Sequence, residues 1–177
     1  MIDFWLEARD THPSVPLTIR PIGTTAEVEA CARLLADSEP WITLKQDFTR
    51  TLQVMSNTAR ERYVAMDGDR LAGLLILNLA GVLAGYLQTI CVAPEYRGRG
   101  AGAEIMRFAE TRILLEHPNV FLFVSSFNTA ARHFYERLGY TQVGEIPDFL
   151  VNGHSEILMR KTVGPTLCYT PNTVGRV

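Results

Sequence analysis

A chain of 177 residues fits one ordinary domain, and with 47% apolar and 20% charged residues it can bury a core, which excludes a disordered or fibrous class. A formal net charge of −2 is too near neutral for a general nucleic-acid binder, so any basic site has to be local. The start "MIDFWLEARD" is acidic where an export signal needs positive charge, and the apolar run Leu71–Gly85 falls short of the roughly 20 residues of a spanning helix.

These features lead us to expect a cytoplasmic protein with no nucleic-acid or membrane partner. Cys31, Cys91 and Cys168 lie far apart, with no C-x-x-C pair and no histidine at ligand spacing, so neither a disulfide framework nor a metal site is expected. Cys91 alone falls near the chemistry argued below, and even there it reads first as a small buried hydrophobe.

After an irregular start containing Pro13 and Pro16, "LTIRPI" predicts a first strand. Thr24 or Thr25 then caps "AEVEACARLLADSE", where Val28, Cys31, Leu34 and Leu35 recur at helical spacing. A second helix is predicted from about Lys45 to Met55. "RERYVAM" and "RLAGLLILNL" flank the turn signal "DGD" and predict a hairpin, and "GVLAGYLQTICVAP" supplies a further strand. From Gly100 to Glu116 the period changes to that of a helix with one broad buried face. "NVFLFVSSF" reads as a strand covered on both faces, and "NTAARHFYERLGY" as a short helix opened by Asn128 or Thr129 and ended by Gly139. "TQVGEI" and "HSEILMRK" predict two last strands around the loop "PDFLVNG". The expected arrangement is a single α/β domain over residues 1–161 with a mixed sheet and one parallel crossover, followed by an extension, 162–177, lying on the surface or on a partner.

The stretch "VAPEYRGRGAG" places three glycines and two arginines at the junction of a strand and a helix. Such a turn leaves N–H groups pointing outward beside the positive end of the helix, a ready anion site. Missing Cβ atoms let a pyrophosphate approach the main chain, and Arg97 and Arg99 add charge at the rim. A Walker loop needs Gly-Lys-Ser/Thr, whereas Gly102 is followed by Ala103 and Glu104. A dinucleotide fingerprint belongs to a first βαβ unit, whereas this loop lies past the middle of the chain. Further on, Asn128 and Tyr135 stand seven apart on one helix face, about 10 Å along its axis at 1.5 Å per residue, within reach of one elongated ligand. Each also has an ordinary role open to it, Asn128 as a cap and Tyr135 as core.

Taken together, "ICVAPEYRGRGAG", "SSFNTAARHFYERLGY" and "EILMRK" make the chain similar to the GNAT superfamily of acyl-CoA N-acetyltransferases. The phosphate motif Q/R-x-x-G-x-G/A is met by Arg97, Gly100 and Gly102, and the helix motif by Asn128, Tyr135, Gly139 and Tyr140; the specific matches run from about Leu83 to Lys161. The resemblance implies a mostly antiparallel sheet flanked by helices, in which the strand ending at Val92 splays from the Val120 strand, with acetyl-CoA in the resulting V. It implies that main-chain groups of Ile90, Cys91 and Val92 bond the acetyl and pantetheine arms. The segment Arg97, Gly98, Arg99, Gly100, Ala101, Gly102 and Ala103 would hold the pyrophosphate, Asn128 would bond the pantetheine arm, and Tyr135 would stand by the sulfur as general acid. A main-chain N–H near Cys91 or Val92 would stabilise the developing oxyanion.

Some relatives carry a glutamate four residues before the position of Ile90 or five before that of Asn128, where this chain has Tyr86 and Phe123. The base is therefore open, with Glu39, Asp148, His154 and Glu156 as candidates and a water relay as the alternative. Trp41 and "PDFLVNGHSE" are the segments expected beside the acceptor. The function implied is transfer of the acetyl group of acetyl-CoA to a small-molecule or protein amine, without a metal. A non-catalytic acetyl-CoA-binding regulator is the alternative, and the apolar tail around Leu167–Tyr169 offers a surface for a homodimer.

Overall fold

The computed structural model describes residues 16–171. The start predicted as irregular lies outside the described residues except for Pro16, as do residues 172–177 of the extension. In chain order the elements are β1 Thr18–Pro21, α1 Thr25–Ala36, α2 Phe48–Ser56, β2 Glu61–Asp67, β3 Arg70–Asn78, β4 Tyr86–Val92, α3 Ala101–Leu114, β5 Asn119–Ser125, α4 Thr129–Arg137, β6 Thr141–Pro147 and β7 Ser155–Thr162. This is the predicted order of helices and strands.

Local chemistry sets the boundaries. Thr24, not Thr25, caps α1: its hydroxyl accepts from the Glu27 N–H at 3.2 Å, while the Glu27 carboxylate accepts from the Thr24 N–H at 3.3 Å. Helix α2 starts at Phe48 rather than Lys45, because Lys45 has φ 53° and Asp47 caps the helix by accepting from the Arg50 N–H at 2.8 Å. The strand expected from Gly81 begins only at Tyr86, since Gly81 and Gly85 take φ values of 88° and 87° and make the preceding segment a turn.

The seven strands form one sheet in the order β1-β2-β3-β4-β5-β7-β6. Every neighbouring pair is antiparallel except β4 with β5. Along β3, Leu75 and Leu77 point into a core with Ile105, Met106 and Ile113 of α3, while Leu74 and Ile76 point into a second core with Cys31, Leu35 and Met55 of α1 and α2. Helices on both faces explain why the strand reads as a continuous apolar run. Each such side chain contributes roughly 1.5–3 kcal/mol by burial.

The extension folds back at the closed end of β5. Val163 N–H donates to Pro118 O at 2.9 Å, Asn119 Nδ2 donates to Thr166 Oγ1 at 3.1 Å, and the Tyr169 hydroxyl donates to Leu114 O. Leu167 stays fully exposed.

Candidate active site

The parallel pair β4 and β5 is joined only at Tyr86–Phe121 and Leu87–Leu122, closed at its base by the Phe121 N–H donating to Gly85 O at 3.0 Å. Beyond Leu87 the strands have no ladder between them, so the sheet forks there. A bulge sits at the fork. Leu77 faces Leu87 and Ile76 faces Thr89, which leaves Gln88 as an extra residue on β4. As a result, Leu87, Ile90 and Val92 pack toward α3, while Cys91 packs toward α1 and α2.

Hydrogen-bond alternation decides which main-chain groups face the gap. Ala93 N–H donates to Ala72 O at 2.9 Å, so Ala93 and, two residues back, Cys91 turn their groups to β3. A Cβ on Gly73 would stand 2.6 Å from Cys91 O, which confirms that direction. Ile90 and Val92 therefore present their main-chain groups to the gap, while Cys91 turns its own toward β3. The Cys91 thiol is buried and raised above its ordinary range by that burial, with Ser38 and Arg97 opposing the shift.

The glycine loop follows a short turn, Pro94–Tyr96. Gly98 and Gly100 have φ values of 69° and 81°, which L side chains rarely adopt. Gly102 differs from them: a Cβ there would stand 3.4 Å from Phe134 Cζ of α4, an ordinary contact distance, so neither φ nor space demands a glycine at this position. Among the described residues no acceptor takes up the amides of Gly98, Arg99, Gly100, Ala101, Gly102 or Ala103; the first amide engaged is that of Glu104, on Gly100 O at 3.1 Å. Arg99 stays at the rim, with Nη1 donating to Glu95 O at 3.3 Å. Arg97 is drawn inward, its Nε donating to Val92 O at 3.0 Å and its Nη2 to Ser38 Oγ at 3.2 Å.

On α4, Asn128 is the N-cap, with Oδ1 accepting from the Ala131 N–H at 3.2 Å. That leaves its Nδ2 donor for another partner. Tyr135 is buried, and its phenol is pushed well above its ordinary range by burial first and then by Cys91 and Tyr86.

The opposite face of the fork is aromatic. Tyr86 and Phe123 meet edge to face at 5.9 Å, and Phe149 from the β6–β7 loop lies 5.8 Å from Phe123. Ser125 Oγ donates to Glu156 Oε1 at 2.6 Å, and the Glu156 carboxylate is raised above its ordinary range by burial against the opposing pull of that bond. Of the candidate bases, Glu156 is the one brought to this face as a buried group. Glu39 accepts from the Thr43 N–H at 3.3 Å, Asp148 accepts from the Gly153 N–H at 2.6 Å, and the His154 ring packs on Phe127 at 4.8 Å. Trp41 is half-buried against the core under α1 and α2. The bulge at Gln88 and the place of Phe149 were not foreseeable from local sequence, since both depend on register between strands far apart in the chain.

The family model described as the acetyltransferase (GNAT) family matches residues 28–140, which take in β4, the glycine loop and α4. N-alpha-acetyltransferase 30 of Schizosaccharomyces pombe is 29% identical over 97 residues, 51% of this chain; the chain spans 64% of that relative's length. An aminoglycoside 6'-N-acetyltransferase complexed with coenzyme A has a TM-score of 0.68 at 19% identity, over 84% of this chain and 98% of that one. Spermidine N-acetyltransferase from Vibrio cholerae, in complex with CoA and spermine, has a TM-score of 0.64 at 20% identity, over 82% and 95%. The two solved structures show a shared fold.

Proposed function

The chain belongs to the GNAT family of acetyltransferases, and from that premise we propose that it transfers the acetyl group of acetyl-CoA to a primary amine by direct attack in a ternary complex. One observation carries the reading: a run of unengaged amides, Gly98–Ala103, opens beside the gap where β4 leaves β5. That arrangement fits a diphosphate at the head of α3 and an extended arm along the gap.

Under this reading the loop amides, with Arg99 at the rim, bind the diphosphate. Ile90 and Val92 bond the arm and the thioester oxygen through main-chain groups, and Asn128 donates to the arm through Nδ2. Acetyl-CoA supplies the activated acyl carbon. The ammonium first gives one proton to a water relay; the neutral nitrogen then bonds to that carbon as the carbon–sulfur bond breaks, Tyr135 gives its phenolic proton to the sulfur, and the proton shed by the new amide nitrogen returns through water to the Tyr135 phenolate. Holding the two reactants in one cleft contributes roughly 7–11 kcal/mol of the barrier reduction. The reaction takes place in the cytoplasm, without nucleic acid or membrane. Residues 1–161 act as one domain, and the exposed Leu167 in the extension offers a contact for a second copy.

Calorimetry with acetyl-CoA and thiol release over an amine panel, on wild type and Tyr135→Phe, test the reading. Binding with turnover that falls in Tyr135→Phe supports it. Tight binding with no turnover on any amine gives the regulatory alternative, which the lack of an acid at Tyr86 and Phe123 favours. No binding removes both.

A further inference from the structure

Resting on the acetyl-transfer reading, we propose that Glu156 is the acceptor-binding residue: its carboxylate, held by Ser125 on the aromatic face formed by Tyr86, Phe123 and Phe149, binds the ammonium of an amine whose neighbouring carbons are apolar.

Register places it there. Leu87 of β4 is level with Leu122 of β5, and three residues further along β5 is Ser125. On β4 the extra residue Gln88 makes the same advance end at Cys91, between the two residues that open onto the gap. Glu156 is the cross-strand partner of Ser125 on β7, so it shares that level. It shares the face as well. Tyr86 pairs with Phe121, and Phe121, Phe123 and Ser125 alternate onto one side of β5. The Glu156 charge reaches the Tyr86 phenol, which burial and this carboxylate together push up to about 12.

The chemistry of the carboxylate calls for a cation. Glu156 is 4% exposed, and among the described residues no lysine, arginine or histidine forms an ion pair with it. The Glu110 carboxylate, also well covered, is by contrast paired with Lys161 at 2.8 Å. A carboxylate buried without a counter-ion costs free energy, and a ligand cation seated against it would offset that cost. The three rings on the same face of the sheet favour a cation as well, because an ammonium is attracted to aromatic faces. Phe149 is 54% exposed, so the outer wall remains open to an incoming acceptor. A neutral or anionic acceptor would leave Glu156 unpaired, and the face discriminates against it.

Phenethylamine and phenethyl alcohol differ at the terminal group alone and serve as probes, titrated calorimetrically into the full chain saturated with CoA. The amine is expected to bind the wild type about tenfold or more tightly than the alcohol, the effect of one charge-assisted contact. In Glu156→Gln that preference vanishes while CoA binding is retained, and in Ser125→Ala it weakens. Equal binding of the two probes to the wild type overturns the proposal, whether or not the variants fold. An undiminished preference for the amine in Glu156→Gln overturns it too. Failure of CoA to bind the wild type strikes the acetyl-transfer reading instead, and the same two probes on the CoA-free chain then decide the role of Glu156.

Discussion

Arg97 joins the glycine loop to the opposite helical layer: the same guanidinium donates to Val92 O at 3.0 Å and to Ser38 Oγ, at the end of α1, at 3.2 Å. Ser38 is buried, so the bond reaches into the fold. The forked guanidinium can hold two acceptors at fixed angles, which an ammonium cannot do. Arg97→Ala and Arg97→Lys are both expected to weaken CoA binding about tenfold or more, measured by calorimetry. Arg99→Ala, which removes a charge from the exposed rim, loses less, and its loss fades in high salt. Wild-type affinity in Arg97→Lys would reduce Arg97 to a point charge.

Tyr135 is shielded so completely that its phenol keeps its proton across the usual assay range, raised by burial first and by Cys91 and Tyr86 next. An acid of this kind is available at every working pH. Tyr135→Phe is expected to lower kcat by about 10²–10⁴ with CoA affinity nearly unchanged. The wild-type pH–rate profile should carry no falling limb from this residue below about pH 10. A basic limb present in wild type and absent in Tyr135→Phe would contradict the assignment.

These two residues show what the sequence made legible and what it did not. Punctuation and period were readable because they act locally: Thr24 with Glu27 announces α1, and Gly68 marks the hairpin between β2 and β3. The loop was readable because strand, glycines and helix are contiguous. What escaped is long-range. The bond from Arg97 to Ser38 joins residues 59 apart, and the pair Ser125–Glu156 exists only through the register of β5 on β7. The bulge at Gln88 leaves no trace in "YLQTIC", yet it decides that Ile90 and Val92, and not Cys91, open onto the gap.

Gly85 closes the base of the fork, and two separate demands exclude a side chain there. Its φ is 87°, and a Cβ would stand 2.3 Å from Asn119 O and 3.0 Å from Ile113 Cγ2. Gly81 has nearly the same φ, 88°, with nothing within 4 Å. Comparison of the two alanine variants therefore separates backbone strain from collision. Gly81→Ala is expected to cost about 1 kcal/mol in urea unfolding, and Gly85→Ala about 3 kcal/mol or more, with CoA binding lost. Equal costs would mean that the base of the fork yields.

Glu27 links stability to pH at the far edge of the sheet. Its carboxylate is held down to about 2 by the Arg20 guanidinium, bonded at 2.5 Å, and by the Gly23 N–H at 2.8 Å. In the unfolded chain the same group titrates near its ordinary value of 4.5. A depressed native value means that the unfolded state takes up the proton first as pH falls. The contribution is thus complete above about pH 5 and is lost as pH drops toward the native value. Thermal melts should show Glu27→Gln less stable than wild type by about 1 kcal/mol at pH 7, the loss of a carboxylate cap. The two melting curves should converge near pH 2. A gap that persists unchanged at that pH would place the effect in packing and not in the charge.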